Sequence, residues 1–324
     1  MATDPLAAVS LRDVMEARER LGAEVLRSPL LPVEFDDGPL WLKLEALQPI
    51  GSFKLRGAGN AILAAAPERV TEGLLTVSAG NMAQGVAWWA RRLGVRATAI
   101  VPDHAPEAKV RAIERLGGRV SRVPFDRWWG YLSGDEAPDG PGLFIHPVAD
   151  PGVIAGNGTI GLEILEDLPE VETILVPFGG GGLSCGIGVA VHGGRPETRV
   201  IGCEVATAAP LAASLRAGTP VAIERQPSFV EGIGGKSLLP AMWELVRREL
   251  AGAAVVSLDS IAAAIRLLVQ RARIVAEGAG AAGVAAALKG HRGGPTVCVI
   301  SGGNIDAAVL AEVLSGRTPG PAPA

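Results

Sequence analysis

Lys54 lies in Gly51-Ser-Phe-Lys-Leu-Arg-Gly-Ala58, flanked by Phe53 and Leu55 where the pattern predicts a loop-to-helix junction. Partial desolvation there disfavours the ammonium form, lowers the pKa and frees an amine to attack a carbonyl. A helix-end lysine snorkelling over apolar surface leaves the same local signature, so its company decides. Two segments, Ser78-Ala-Gly-Asn-Met-Ala-Gln-Gly85 and Pro177-Phe-Gly-Gly-Gly-Gly-Leu-Ser184, each follow a strand-like apolar run and precede a helix-like one. The consecutive Gly179, Gly180, Gly181 and Gly182 cost folding entropy and call for a close backbone approach. With a helix starting near Leu183, successive backbone N–H groups converge at a helix N-terminus, and a phosphate is the natural guest. The turn of Ser78, Ala79, Gly80 and Asn81 offers a hydroxyl, an amide and unhindered backbone donors. That suits a carboxylate or phenolate, although an ordinary helix cap explains the same residues. Cys298-Val-Ile-Ser-Gly-Gly-Asn304 ends a late strand with the Ser301 hydroxyl, at the sheet edge where α/β proteins bind ligands.

Two other glycine patterns lack the context they need. Gly278-Ala-Gly-Ala-Ala-Gly283 matches a dinucleotide fingerprint, but an apparent helix over 261–273 leaves only Ile274-Val-Ala for the required strand. Gly232-Ile-Gly-Gly-Lys-Ser237 resembles a nucleotide P-loop, yet its first glycine position holds Val230.

The elements that must position these turns alternate along the chain. A helix is predicted over 11–21, strands over 74–77, 97–101, 120–123, 143–145, 174–176, 200–203 and 296–300, and helices over 82–93, 105–116, 154–165 and 307–314. Such βα alternation predicts an α/β fold with parallel sheets. Segment 126–141, with Trp128, Trp129, Gly130 and several Asp and Pro residues, predicts a domain seam or flexible loop, and 226–235 is a second irregular stretch. The ends, 1–5 and 318–324, are expected to fray.

With 324 residues, 48% of them hydrophobic, the chain can bury a large core and is expected to divide into two domains around a cleft. A formal net charge of -4 without a basic stretch gives no footprint for nucleic acid. Cys185, Cys203 and Cys298 fall in predicted core elements without CxxC spacing, the pattern of reduced cytoplasmic thiols, and imply no structural zinc. The N-terminus lacks a charged start followed by an apolar run, and no stretch of about 18 uninterrupted apolar residues occurs, so a soluble cytoplasmic protein without a membrane partner is expected.

Taken in this order and spacing, the Lys54 segment, Ser78-Ala-Gly-Asn-Met-Ala-Gln-Gly-Val-Ala87, the 179–183 turn and Ser301-Gly-Gly-Asn304 resemble the threonine/serine dehydratases. These belong to the fold type II (tryptophan synthase β-like) pyridoxal-phosphate enzymes. The resemblance runs from about residue 11 to 314 and includes His146-Pro-Val-Ala-Asp-Pro151 and Gly156-Asn-Gly-Thr-Ile-Gly161. It implies two α/β domains, each a mainly parallel twisted sheet flanked by helices. Residues 1–70 and 146–324 would form a large cofactor-binding domain and 71–145 a small inserted one, with pyridoxal 5'-phosphate between them. The resemblance makes Lys54 the Schiff-base lysine and packs Phe53 beside the cofactor ring. It sets Asn81 on the 3′-oxygen, Gly179, Gly180, Gly181, Gly182 and Leu183 on the phosphate, and Ser301 at the pyridine nitrogen. Ser78, Ala79, Gly80, Asn81 and Met82 would grip the substrate carboxylate. The implied reaction is β-elimination of water from a 3-hydroxy amino acid, L-threonine, L-serine or a bulkier relative, giving a 2-oxo acid and ammonia, with Lys54 taking the Cα proton. A homodimer is implied by the same analogy. Racemisation and β-replacement are rivals within the fold, and a non-catalytic cofactor-binding protein is the rival outside it.

Departures from the family pattern sharpen the expectation. Ala79 stands where similar serine racemases place a proton-handling serine, which argues against racemisation. Met82 replaces a common histidine and Asn157 a usual glutamine, so both are expected to alter the walls of the substrate pocket. Phe229-Val-Glu-Gly-Ile-Gly-Gly235 departs from the usual Ala-Asp-Gly and, with Trp128 and Trp129, is expected to admit a bulkier β-substituent. Glu204 lies where relatives recruit a divalent cation, but Pro210 takes the place of an aspartate, and oxygen-rich coordination needs more carboxylates, so no metal is expected. The chain stops soon after Asn304, and the regulatory domain of biosynthetic threonine deaminases is not expected.

Overall fold

Ten strands divide between two sheets in the computed structural model, which describes residues 5–140 and 142–321. The larger has the order β1-β2-β10-β7-β8-β9. In it β1 (Leu30–Phe35) and β2 (Gly38–Lys43) form an antiparallel hairpin, and β10 (Thr296–Val299), β7 (Thr173–Pro177), β8 (Arg199–Val205) and β9 (Gly252–Val256) continue parallel to β2. The smaller, β5 (Arg119–Val123), β4 (Ala97–Pro102), β3 (Leu74–Val77) and β6 (Leu143–Ile145), is parallel throughout. β3 and β7 are buried at every residue, which is why their sequences are unbroken apolar runs and not alternating ones.

Alternation instead sorts side chains between two cores. Ile174 and Val176 of β7 point into a cluster with α1 (Leu11–Leu21), α7 (Pro151–Asp167), α8 (Gly182–His192), α9 (Pro210–Ala217) and α10 (Trp243–Glu249). Leu175 points the other way, toward α11 (Leu258–Leu267), α12 (Gly278–Leu288) and α13 (Ala307–Leu314). Between the sheets runs α2 (Lys54–Leu63), while α3 (Pro67–Thr71) leads into β3, and α4 (Asn81–Leu93), α5 (Glu107–Arg115) and α6 (Phe125–Ser133) accompany the smaller sheet. Glycines let α2 approach both sides. A Cβ on Gly57 would lie 2.6 Å from Asn157 Oδ1 of α7, and one on Gly59 would lie 2.5 Å from the Trp89 ring of α4. The Trp89 indole N–H also donates to Leu55 O (2.9 Å), so the helix that begins with Lys54 is wedged at the seam.

Three strands have no counterpart among the expected ones. Pro32 and Pro39 interrupt the β1 and β2 runs, yet β1 is an edge strand and Pro39 sits near the start of β2, where a missing N–H is tolerated. β9, Gly252-Ala-Ala-Val-Val256, is short, small-residued and at the opposite edge. Segment 126–141, expected to be irregular, opens instead inside α6. Phe125, Trp128, Trp129 and Leu132 recur at helical spacing, and that apolar stripe outweighs Gly130. Pro141, residues 1–4 and residues 322–324 lie outside the described residues. Among those described, no helix is long and apolar enough to cross a membrane.

Candidate active site

The backbone just before α2 is stapled to the end of β10. Ser52 bridges Gly302, Phe53 N donates to Ser301 O (3.0 Å) and Gly303 N donates to Gly51 O (2.9 Å). Lys54 therefore emerges at the carboxyl edge of the larger sheet. Its Nζ donates to Pro147 O (2.7 Å) and stands 5.1 Å from the Phe53 ring centroid. With a carbonyl for a partner in place of a carboxylate, burial lowers the lysine pKa from 10.5 to about 8.

A cavity of about 660 Å³ opens in front of it. Phe53, Lys54, every residue of the 78–82 and 179–183 turns, and Ser301 line that cavity together, so the structure brings all of the expected site positions to one place. Two helix N-termini point there. α8 begins at Gly182 behind Gly181 (φ 100), and α4 begins at Asn81 behind Gly80, and neither is capped by a side chain. Their first-turn N–H groups thus remain for an anionic guest. Glycine is favoured in the α8 turn because a Cβ on Gly180 would lie 2.6 Å from Val148 Cγ1 and one on Gly182 would crowd Val148 O at 3.0 Å. Ser301, just past the end of β10, is 2% exposed and lines the same cavity.

The cavity also gathers residues that local motifs did not flag. Asn81 Nδ2 lies 3.0 and 3.3 Å from the Glu277 carboxylate oxygens, and Asn81 Oδ1 accepts from Asn304 Nδ2 (2.8 Å). Burial raises the Glu277 pKa from 4.5 to about 7, against the opposing hydrogen bond from Asn81. A carboxylate in Ile274-Val-Ala-Glu-Gly278, among apolar and glycine neighbours, carries the same kind of signal as Lys54 does. Lys109 and Glu231 pair across the mouth (2.7 Å), and Phe125, Trp128 and Leu132 of α6 form an apolar wall that continues into a side chamber of about 230 Å³ with Trp129 and Ile233.

Of the residues weighed beside these, Asn157, expected in the pocket wall, and Glu204, where no metal was expected, lie away from the cavity. Asn157 is fully buried behind the wall, where its Nδ2 donates to Gly182 O (3.1 Å) because this face of α7 packs on α8. Glu204 is also fully buried, and its oxygens accept from Leu211 N and Ala212 N (both 2.8 Å), so this carboxylate caps α9; burial raises its pKa to about 7.

A family model described as pyridoxal-phosphate dependent enzyme matches residues 20–302. The chain is similar to an L-threonine ammonia-lyase of Thermotoga maritima, 40% identical over 315 residues that span 95% of this chain and 78% of that one. Among solved structures it is similar to the processed form of threonine deaminase isoform 2 from Solanum lycopersicum (TM-score 0.84, 31% identity, 98% and 95% of the two chains). It is also similar to maize serine racemase (TM-score 0.82, 30% identity, 95% and 98%). The motifs, the parallel sheets and these likenesses agree, and the chain belongs to the pyridoxal-phosphate dependent enzymes, in their fold type II threonine dehydratase group.

Proposed function

We propose that this chain is an ammonia-lyase that removes water from a 3-hydroxy amino acid, L-threonine or L-serine most simply, and releases a 2-oxo acid and ammonia. One observation carries the reading: a desolvated lysine without a counter-ion shares a cavity with two uncapped helix N-termini. The residues present fit the cofactor. The α8 N-terminus and its glycine turn suit the phosphate, Phe53 and Ser301 the ring, and the Asn81 amide the 3′-oxygen. When bound there, pyridoxal phosphate supplies an electron sink that acidifies the substrate Cα–H.

The chain's own groups do the rest. The α4 N-terminus, with the Ser78 hydroxyl, orients the substrate carboxylate. Lys54, with a pKa of about 8 and only a neutral partner, keeps a useful fraction of free amine near neutral pH and serves as base for the Cα proton. Ser301 offers a hydroxyl and no anion, so it lends no ionic support to a positive ring nitrogen and favours prompt loss of the β-hydroxyl. Ala79 supplies no hydroxyl at its place on the wall, which disfavours racemisation. The side chamber beyond Trp128 supports a bulkier β-substituent. We extend the reading to a large cofactor-binding domain of residues 1–70 and 146–324 with 71–145 inserted, acting as a cytoplasmic homodimer. A monomer by light scattering would contradict the dimer.

The test is an absorbance spectrum of wild type and Lys54→Ala with pyridoxal phosphate, then 2-oxo acid assays on L-threonine, L-serine and larger 3-hydroxy amino acids. A Lys54-dependent visible band, with turnover lost by about 10³-fold or more in the variant, is expected. A band without oxo acid from any of these substrates would overturn the elimination. A band that survives Lys54→Ala would overturn the lysine's role.

A further inference from the structure

His146 does not line the cavity, yet its ring ties together two segments that do, the turn after it and α6. Its Nδ1 accepts from Val148 N (3.1 Å) and Ala149 N (2.8 Å), and its Nε2 lies 3.0 Å from Leu132 O. A backbone N–H only donates and a carbonyl only accepts, so this set of partners allows one state of the ring: bare Nδ1, proton on Nε2, no charge. The ring thereby folds Pro147-Val148-Ala149 back on itself. Pro147 O receives the Lys54 ammonium (2.7 Å), and Val148 backs the phosphate cradle so closely that a Cβ on Gly180 would clash with it and one on Gly182 would crowd it. At its other end the ring holds Leu132, part of the α6 wall of both chambers. The charged groups near it are Lys54 and Asp150; the Asp150 carboxylate is occupied by Val153 N (3.0 Å).

We propose that His146 is a positioning residue. Its bare Nδ1 builds the 147–149 turn, and that turn sets where the Lys54 amine rests and how closely residues 179–182 close on an anion, while Nε2–H keys the turn to the α6 wall. The proposal rests on Lys54 being the cofactor lysine, as argued above. Protonation of the ring, or a shift of its proton to Nδ1, would set N–H against N–H and open the turn.

The two ends of the ring are separable. In His146→Asn the Oδ1 atom takes the place of Nδ1 and keeps the turn but cannot reach Leu132. In His146→Gln the side-chain amide reaches Leu132 O but leaves the turn without its acceptor. Pyridoxal-phosphate affinity is read by titrating the apoprotein, and Lys54 reactivity by its labelling with acetic anhydride across pH, with thermal melts alongside. The Asn variant is expected to bind within about threefold of wild type, and the Gln variant about 10- to 100-fold more weakly, as for other outer partners that orient a functional group. The labelling midpoint of Lys54 should fall in the Gln variant alone, because losing the Pro147 carbonyl removes support for the ammonium. Equal losses in the two variants, or none in the Gln variant, would overturn the proposal. Should either variant fail to fold, ¹⁵N shifts of the His146 ring in the wild-type holoenzyme decide: a neutral Nε2–H tautomer near neutral pH supports the proposal, and any other state overturns it. A visible band that persists in Lys54→Ala would sink the lysine assignment separately, since the tautomer is measured without reference to it.

Discussion

Two cations stand two residues apart at the start of α2 and meet opposite fates. Arg56 is 2% exposed, and its guanidinium holds both oxygens of Glu45 (2.8 Å each) and Glu163 Oε1 (2.6 Å), while Lys43 Nζ takes Glu163 Oε2 (2.6 Å). Burial alone would lower the arginine pKa, but the two carboxylates more than offset it and hold the group above its ordinary value. Lys54 suffers the same desolvation with only a carbonyl in return, and its pKa falls to about 8. The same helix therefore shows that burial by itself does not make a cation reactive. Burial without a counter-ion does, and the carboxylates at the seam that fixes α2 go to Arg56 and not to Lys54.

The contrast breaks most visibly in stability. Arg56→Met leaves two buried carboxylates, Glu45 and Glu163, with Lys43 as their remaining cation, and removing one partner of a buried ion network destabilises by about 3–5 kcal/mol. Lys54→Met should do the reverse, since it removes a charge the fold does not support. The sign follows from the proton balance. Folding lowers the lysine pKa from 10.5 to about 8, so stability rises with pH between those values. The gain from Lys54→Met is thus full below pH 8 and fades toward pH 10.5. Urea midpoints of the apoproteins measure both, and equal losses for the two variants would mean that the two cations are held alike.

Glu277 is the acidic counterpart of Lys54, and it sharpens the comparison at smaller scale. Its pKa rises from 4.5 to about 7 in the fold, so the folded state keeps a proton that the unfolded chain has released, and stability falls as pH climbs through that window. Glu277→Gln should flatten this slope and stabilise the apoprotein above pH 7 by about 2 kcal/mol or less, since the side chain lines an open cavity and is not sealed in the core. Part of the slope will remain, because Glu204 also titrates at about 7. Melting temperatures of both proteins between pH 5 and 8 decide it: parallel curves would show that Glu277 is ionised without strain.

What the sequence revealed follows the range of the interactions involved. The turns that line the cavity were legible because each is a local device, a glycine run or a hydroxyl between a strand and a helix. The strands buried on both faces, such as β3 and β7, were legible as apolar runs for the same reason. Glu277, the Arg56 network and the tautomer of His146 were not, since each depends on partners far away in the chain. Asn81 and Glu277 are 196 residues apart, and Arg56 and Glu163 are 107. Edge strands β1 and β9 were obscured by prolines and small residues that only an edge tolerates. α6 was obscured by counting Gly130 and the acidic residues ahead of a stripe of aromatics.

The smallest effect expected is also the one that separates the seam from the mouth of the cavity. Lys109 on α5 meets Glu231 at 2.7 Å, with about a third or more of each side chain in solvent (32% and 43%). Such a pair contributes under about 1 kcal/mol, and screening weakens it further as the Debye length falls from about 30 Å at about 0.01 M salt to about 3 Å at about 1 M. Lys109→Ala should therefore lower the melting temperature slightly at low salt and not at all at high salt, whereas the loss in Arg56→Met should persist at both because its partners are shielded from ions. The pair joins α5, beside the smaller sheet, to the 226–235 loop, and both residues line the cavity. Its loss should show more in KM than in kcat, since it shapes access and not the position of Lys54. A fall in kcat with KM unchanged would place Lys109 with the chemistry and remove the distinction between a paired charge at the cavity and one held without a counter-ion.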